Sequence, residues 1–477
     1  MKLYVFGIGG TGSRVLKALT MLMAAGVDIK ADKIVPIIID PDEAAADLTR
    51  TVTAIRKYNA IHNELTFNSS NKNKFFKTDI AETLSGFRLN LANTKEVKFK
   101  EFMDTSSLSK PNQALVSMLF SEENLESNMQ VGFKGNPNIG SVVLNQFADS
   151  PQFKNLASTF QQGDRIFIVS SIFGGTGASG FPLLLKNLRG IDSSIPSSQL
   201  IKDAPIGAIT VLPYFAVKPD DESKIDSSTF ISKTKAALAY YERNVSGNNS
   251  LNALYYIADT INKQYENHEG GINQRNDAHF IELASALAII NFAEMNDNDL
   301  TTTNGKADNP IYKEFGIENE SNRVIFSDLN FGSRSLLQKP FTQFVLFSKY
   351  LTEQIDNSKS QPWKTDQKFD DQFISSPFYS SNLKEIVTTF IEWLIEMSNN
   401  ERAFEPFALQ EKKYDLFSLI NGQKPARVNS LKSNYALFDD RLNSLQSSLT
   451  NDACIEQKFI ELFYKATEKL VSEKFKF

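Results

Sequence analysis

Residues 165–180 read Arg-Ile-Phe-Ile-Val-Ser-Ser-Ile-Phe-Gly-Gly-Thr-Gly-Ala-Ser-Gly. The first seven are β-prone with an apolar centre, as a buried strand requires. The glycines from Gly174 to Gly180 then break the strand, and Pro182 to Leu188 reads as the start of a helix. The N-terminus repeats that order. Leu3 to Phe6 is apolar and β-prone, Gly7-Ile8-Gly9-Gly10-Thr11-Gly12 forms a turn, and Val15, Leu16, Leu19 and Leu22 recur at helical spacing. A glycine turn between a strand and a helix lets the backbone approach an anion. The anion's charge then meets free amide N–H groups and the positive end of the helix dipole.

Outward from these turns, Ile34 to Ile39 is a second apolar run, ended by Asp40-Pro41-Asp42. The chain therefore opens as a βαβ unit, which favours a parallel sheet. From about residue 56 to 127 the composition shifts to Asn, Lys, Ser and Phe, which reads as an insertion of mixed helix and loop. Ile206 to Tyr214 and Leu254 to Ile257 predict two more buried strands, with a helix over Ser232 to Arg243 between them. Ala278 to Glu294 predicts a helix apolar almost all round. Phe280, Leu283, Leu287, Ile290 and Ala293 fall on one side, and Ile281, Ala284 and Ala288 nearly complete the circumference, so it belongs in a core. From Ser335 most segments read as helical, ending in a stripe of Ile455, Phe459, Leu462, Phe463, Ala466 and Leu470 expected to pack inside. The expected division is a nucleotide-binding domain at 1–270 carrying the 56–127 insertion, a central core helix at 271–296, and a second, helix-rich domain at 297–477.

A chain of 477 residues is long enough for two or three cores. With 41% hydrophobic and 22% charged residues and a formal charge of -5, it offers no broad basic face for nucleic acid. The single Cys454 excludes an internal disulfide framework, and His62, His268 and His279 form no metal-ligand pattern with it. No signal-peptide pattern follows Met1, and no uninterrupted apolar run reaches the ~18 residues of a membrane span. A cytoplasmic location without a transmembrane segment is the expectation.

Gly7 to Gly12 satisfies the G-x-G-x-x-G spacing of dinucleotide-binding folds, with Asp40 available as the ribose-binding acid. The same spacing also serves close helix–strand packing alone. The later loops turn the reading elsewhere. Ser171 to Gly180 closely resembles the phosphate-binding signature loop of tubulin and FtsZ, and Pro182 sits where FtsZ proteins commonly carry a proline. Gly135-Asn136-Pro137-Asn138-Ile139-Gly140 resembles the loop that covers the terminal phosphate in FtsZ proteins, and Asp40-Pro41-Asp42 corresponds to the family's acidic turn. The resemblance covers residues 1 to about 295.

It implies an α/β, tubulin/FtsZ-like Rossmann-type GTPase domain with a mainly parallel sheet, a central buried helix, and bound GTP or GDP with Mg²⁺. The implied nucleotide contacts are Gly9, Gly10, Thr11, Gly12 and Ser13 in the first loop, Gly135 and Asn136 in the covering loop, and Gly174, Gly175, Thr176 and Gly177 in the signature loop. Asp42 is the candidate on the magnesium or phosphate side; capping the helix that follows is its alternative role. Asn276 and Asp277, at the expected start of the central helix, would read guanine, Asp277 by accepting from N1 and N2; an N-cap is again the alternative. No G-x-x-x-x-G-K-[ST] occurs, so amides, Mg²⁺ and the hydroxyls of Thr11, Ser13, Thr176 and Ser179 would carry the phosphate charge. Phe173 and Ser179 stand where the family has glycine, adding bulk expected near the phosphate.

In the family a loop after the central helix gives a catalytic acid to the nucleotide of the next subunit. Asp297 and Asp299 are the candidates here, with Asp328 a later option. The implied function is a GTPase that assembles head to tail into filaments with a cytoskeletal or cell-organising role. Two others remain: a non-polymerising nucleotide switch engaging a protein partner through its insertion and C-terminal helices, and a dinucleotide-dependent enzyme built on Gly7 to Gly12 and Asp40.

Overall fold

The computed structural model describes all residues except 69–71, 130–132, 134, 219–229, 261–263, 267–270, 274, 315–320, 411–414, 427–433, 450–451 and 476, and the side chain of Ala148. Seven parallel strands form one sheet: β1 (Lys2–Ile8), β2 (Lys33–Ile39), β3 (Asp79–Ile80), β4 (Arg165–Ser171), β5 (Ile206–Val211), β6 (Ala253–Ile257) and β7 (Ile311–Glu314). Their order is β7-β6-β5-β4-β1-β2-β3. The chain winds one way from β1 to β3 and the other way from β4 to β7. That reversal leaves a crevice at the carboxyl ends of β1 and β4, where ligands bind in open α/β sheets.

Ten of the twelve helices of eight or more residues among the described residues set the layout: α1 (Gly9–Ala24), α2 (Ala46–His62), α3 (Pro137–Leu144), α4 (Gly175–Arg189), α5 (Phe230–Tyr241), α6 (Phe280–Glu294), α7 (Phe331–Glu353), α8 (Lys384–Ser398), α9 (Asn434–Leu445) and α10 (Ile455–Lys474). Strand periodicity sorts the sheet's side chains. Leu3, Val5, Phe167 and Val169 join a core with α1, α2 and α6, whereas Tyr4, Phe6, Ile8, Ile166 and Ile168 join a second with α3 and α4. Both faces are covered, which explains why β1, β2 and β4 carry few polar residues. The expected α/β class, parallel sheet, buried central helix and helix-rich C-terminal region are all present.

In α6 every residue but Asn291 and Glu294 is buried. It packs on α1 and on β4, β5 and β6, so burial of its large apolar side chains, worth about 1.5–3 kcal/mol each, fixes its place against the sheet. It begins at Phe280 rather than Ala278, because the His279 side chain caps it: Nδ1 accepts from the Ile281 N–H at 3.1 Å.

Other boundaries also differ. α2 continues to His62, past the change of composition at residue 56, because Tyr58 and Ile61 are fully buried. The 56–127 stretch also supplies β3, so part of it completes the sheet. Phe75 reaches the C-terminal region, with ring centroids 5.1 Å from Phe344 and 5.4 Å from Phe347. Helices α7, α8 and α10 share one continuous core with α1, α2 and α6, and Phe459, Leu462, Phe463, Ala466 and Leu470 of the tail stripe are fully buried in it. Among the described residues, no helix is long and apolar enough to cross a membrane.

Candidate functional site

Both glycine turns lie at the switch point, and each seats its helix on its strand by backbone contact. A Cβ on Gly12 would lie 2.7 Å from the Gly7 Cα, and one on Gly177 would lie 2.5 Å from the Ser171 carbonyl oxygen. Glycine is required at both positions because the helix N-terminus rests directly on the strand end. Gly9 has a φ of +70°, and the Cβ position built on it lies 3.5 Å from the Thr176 Cβ, so the two loops face each other. The third loop closes the group: a Cβ on Gly175 would meet the amide nitrogens of Gly135 and Asn136, each at 3.1 Å. Gly135 has a φ of +73°, and Asn136 holds the N-cap position of α3 without a side-chain bond to it, with Pro137 in the first turn.

The first turns of α1 and α4 hold no acidic residue, and neither N-cap, Ile8 or Gly174, gives a side-chain bond. Two helix N-termini thus bring amide donors and positive dipole ends to one crevice. Gly10, Gly174 and Thr176 are half-buried there, and Gly9, Thr11, Gly12, Gly175 and Gly177 are buried. Lys233 of α5 adds a charge that the sequence reading missed, its Nζ donating to the Gly135 carbonyl at 3.1 Å. The hydroxyls divide. Ser13 is fully buried, its Oγ without a partner among the described residues, while Ser179 donates inward to the Gly175 carbonyl at 2.7 Å.

Phe173 does not crowd the loops. Its ring packs among Tyr214, Phe215 and Phe230 at centroid distances of 6.2, 5.5 and 5.2 Å, so its bulk enters the core.

Asp42 is buried and spans two segments: Oδ1 accepts from the Ala44 N–H at 3.1 Å and Oδ2 from the Gly271 N–H at 2.7 Å. A magnesium ion would compete with both donors. Among the described residues no cluster of three His, Cys, Asp or Glu side chains could hold a metal. Asp40 accepts from the Asp42 N–H at 3.0 Å, and burial raises its pKa to about 7. The folded chain holds this proton to about pH 7 while an unfolded chain releases it near pH 4, so Asp40's contribution to stability falls as pH rises through that window. Asp40→Asn is expected to melt higher than the parent at pH 8, by a margin that narrows at pH 5; equal margins in thermal melts would contradict this.

Asn276 and Asp277 precede the cap of α6 and are half-buried; the Asn276 N–H points at the Asp47 carboxylate, 3.4 Å from both oxygens. The start of α6 is instead tied to α1 by a buried cluster absent from the sequence reading. Arg14 donates from Nε to Glu282 at 2.5 Å, from Nη1 to Asp47 at 2.8 Å and from Nη2 to the Tyr214 hydroxyl at 2.7 Å. Tyr214 in turn donates to Glu282 at 3.0 Å. Burial raises the pKa of Glu282, opposed by Arg14, whose own pKa its partners raise against desolvation. The signal was Glu282 itself, a carboxylate in a helix apolar all round, which needs a buried partner.

Asp297 and Asp299 are exposed and lie at the opposite end of the sheet, since Arg165, which pairs with Asp297 at 2.5 Å, begins the strand whose far end leads into Gly174. The Arg165 guanidinium also donates to the Phe292, Ala293 and Met295 carbonyls at the end of α6. Asp328 caps a short turn, accepting from the Ile325 N–H at 2.8 Å.

No family model matches the sequence, and no curated protein matches it. Solved structures do. Among the matches are CetZ proteins. CetZ1 from Haloferax volcanii, a GDP-bound monomer, matches at 15% identity and a TM-score of 0.28, over 54% of this chain and 51% of that one. CetZ2 from Haloferax volcanii, a GTPγS-bound protofilament, matches at 13% identity and a TM-score of 0.29, over 61% and 58%. CetZ from Methanosaeta thermophila strain DSM 6194 matches at 16% identity and a TM-score of 0.25, over 61% and 51%. The matches span little more than half the length of those chains. The likeness is distant, and the reading of the site rests on the geometry of its loops.

Proposed function

We propose that the chain binds GTP or GDP in the crevice between β1 and β4, with the phosphates on the first turns of α1 and α4 and the Gly135–Asn136 segment against them. The observation that carries this reading is the meeting of three glycine loops, distant in sequence, around two helix N-termini without acidic residues or side-chain caps. Guanine is assigned on the resemblance of the signature and covering loops to tubulin and FtsZ. Magnesium, if bound, would be held mainly by the phosphates and water, because both Asp42 oxygens already accept amides. The dinucleotide reading fits less well, since Thr176 closes on Gly9 above the first loop.

Hydrolysis and head-to-tail assembly extend the proposal, in a cytoplasmic, cell-organising role. Asp297 and Asp299 stand across the sheet from the loops, so only the nucleotide of another copy is within their reach. A heterologous interface of that kind repeats without closing and makes a filament. A second reading, a non-polymerising switch with a protein partner at its C-terminal helices, is favoured by one observation: Asp297 is already engaged by Arg165.

Sedimentation with GTP and with GDP separates the two. The filament reading expects GTP-dependent pelleting, GTP turnover that rises more steeply than protein concentration, and at least about a 100-fold loss of turnover in Asp299→Asn with binding retained. GTP bound without pelleting or turnover at any concentration would leave the switch.

A further inference from the structure

A cavity of about 240 Å³ opens at the carboxyl ends of β6 and β7, against the first half of α6, and none of its lining residues belongs to a glycine loop. The carboxyl ends of the strands are where open α/β sheets bind ligands. The wall is apolar where Ile257, Phe280, Ile281, Ala284 and Leu287 meet Leu329. Its charged groups are Asp259, Glu314 and Arg402, and Ser333 adds a hydroxyl from the start of α7.

Asp259 is only half satisfied. Its side chain is 4% exposed, and Oδ1 accepts from Arg402 Nε at 2.6 Å and from the Thr260 N–H at 2.7 Å. Oδ2 is buried and accepts no hydrogen bond among the described residues. His279 Nε2 lies 3.9 Å from it, beyond hydrogen-bond reach, and the ring is neutral because its Nδ1 accepts the Ile281 N–H. Arg402 also donates to the Ser321 carbonyl at 3.2 Å. A buried carboxylate oxygen without a donor is costly, and here it belongs to a residue on a cavity wall, where a donor can arrive from outside. Neighbouring cations do not supply one: Lys313 turns to Asn291 at 2.8 Å, and Arg323 pairs with Glu405 at 2.7 Å. Glu314, exposed at the end of β7, adds a second carboxylate to the wall and makes no ion pair among the described residues.

We propose that this cavity is a ligand site for a small organic cation, an amine on an apolar body, with its ammonium donating to Asp259 Oδ2 and its body packed against α6. An ammonium carries three donors and no acceptor, which suits a wall with two carboxylates. A carboxylate ligand would meet both of them as like charges, and the guanidinium it needs already holds Asp259. The volume falls just below the usual range of small-molecule sites, which limits the body to about one ring. The site shares no residue with the glycine loops, so it stands whether or not they hold a nucleotide.

The test is calorimetric titration of the full chain with benzylamine, and with benzyl alcohol and benzoate as controls at matched ionic strength. Saturable one-to-one binding of benzylamine is expected, at least about 10-fold tighter than either control. Asp259→Asn keeps the shape and removes the charge, and should weaken benzylamine at least about 10-fold. Ser333→Leu narrows the cavity from the half-buried start of α7 without touching a charge, and should weaken benzylamine even if Asp259→Asn fails to fold. The proposal is overturned by any of three results: no saturable binding of benzylamine, a control bound as tightly, or benzylamine affinity unchanged in a folded Asp259→Asn or Ser333→Leu chain.

Discussion

A Gly12→Ala chain is expected to lose at least about 3 kcal/mol of stability, the upper end of what forced overpacking costs. The added methyl would lie 2.7 Å from the Gly7 Cα, and backbone on both sides leaves no flexible side chain to give way. Gly177→Ala should behave alike, with its methyl 2.5 Å from the Ser171 carbonyl oxygen, while Gly10→Ala, which meets only Arg14 Nη1 at 3.5 Å, should cost far less. Urea denaturation of the three variants reads this ranking directly. A Gly12→Ala midpoint equal to that of Gly10→Ala would mean that the helix is not seated on the strand as described.

Arg14→Met is expected to destabilise the chain by about 3–5 kcal/mol, because it strands the buried carboxylates of Asp47 and Glu282. Adding Asp47→Asn and Glu282→Gln should recover part of the loss, since the penalty comes from uncompensated charge rather than from the missing bonds. The pH dependence has a definite sign. Without Arg14 the Glu282 carboxyl, already raised by burial, is raised further above its unfolded value, so the folded state holds an extra proton and the Arg14→Met deficit shrinks as pH falls toward 5. A deficit that grows on acidification would refute this account of the cluster.

What was legible in the sequence is what repeats locally. Gly7 to Gly12 and Gly174 to Gly177 each announce a strand end and a helix start within a few residues, and α6 shows itself by being apolar all round. The meeting of those loops depends on strand order. Nothing between residues 56 and 127 says that β3 pairs outside β2 and so leaves the reversal between β1 and β4. The weak edge strands β3 and β7, of two and four residues, have too little pattern to be read. The expected start of α6 at Ala278, just after Asn276 and Asp277, falls two residues too early because His279, not an Asx residue, caps the helix. Arg14, Asp47, Tyr214 and Glu282 come from four separate segments, and only the buried charge in α6 hinted that partners existed. Phe173 was expected to crowd the phosphate because sequence cannot tell which way a loop side chain turns; its ring completes an aromatic cluster instead.

The central claim is that the facing glycine loops hold a guanine nucleotide. It is tested most directly by competition for a fluorescent GTP analogue on the purified chain, with GTP, GDP, ATP, NAD and FAD as competitors and Gly175→Val as the altered cradle. Displacement by GTP and GDP but not by the others, with affinity reduced at least about 100-fold in a folded Gly175→Val chain, is the predicted result. Displacement by NAD or FAD instead, or guanine nucleotide binding that Gly175→Val leaves unchanged, would contradict it.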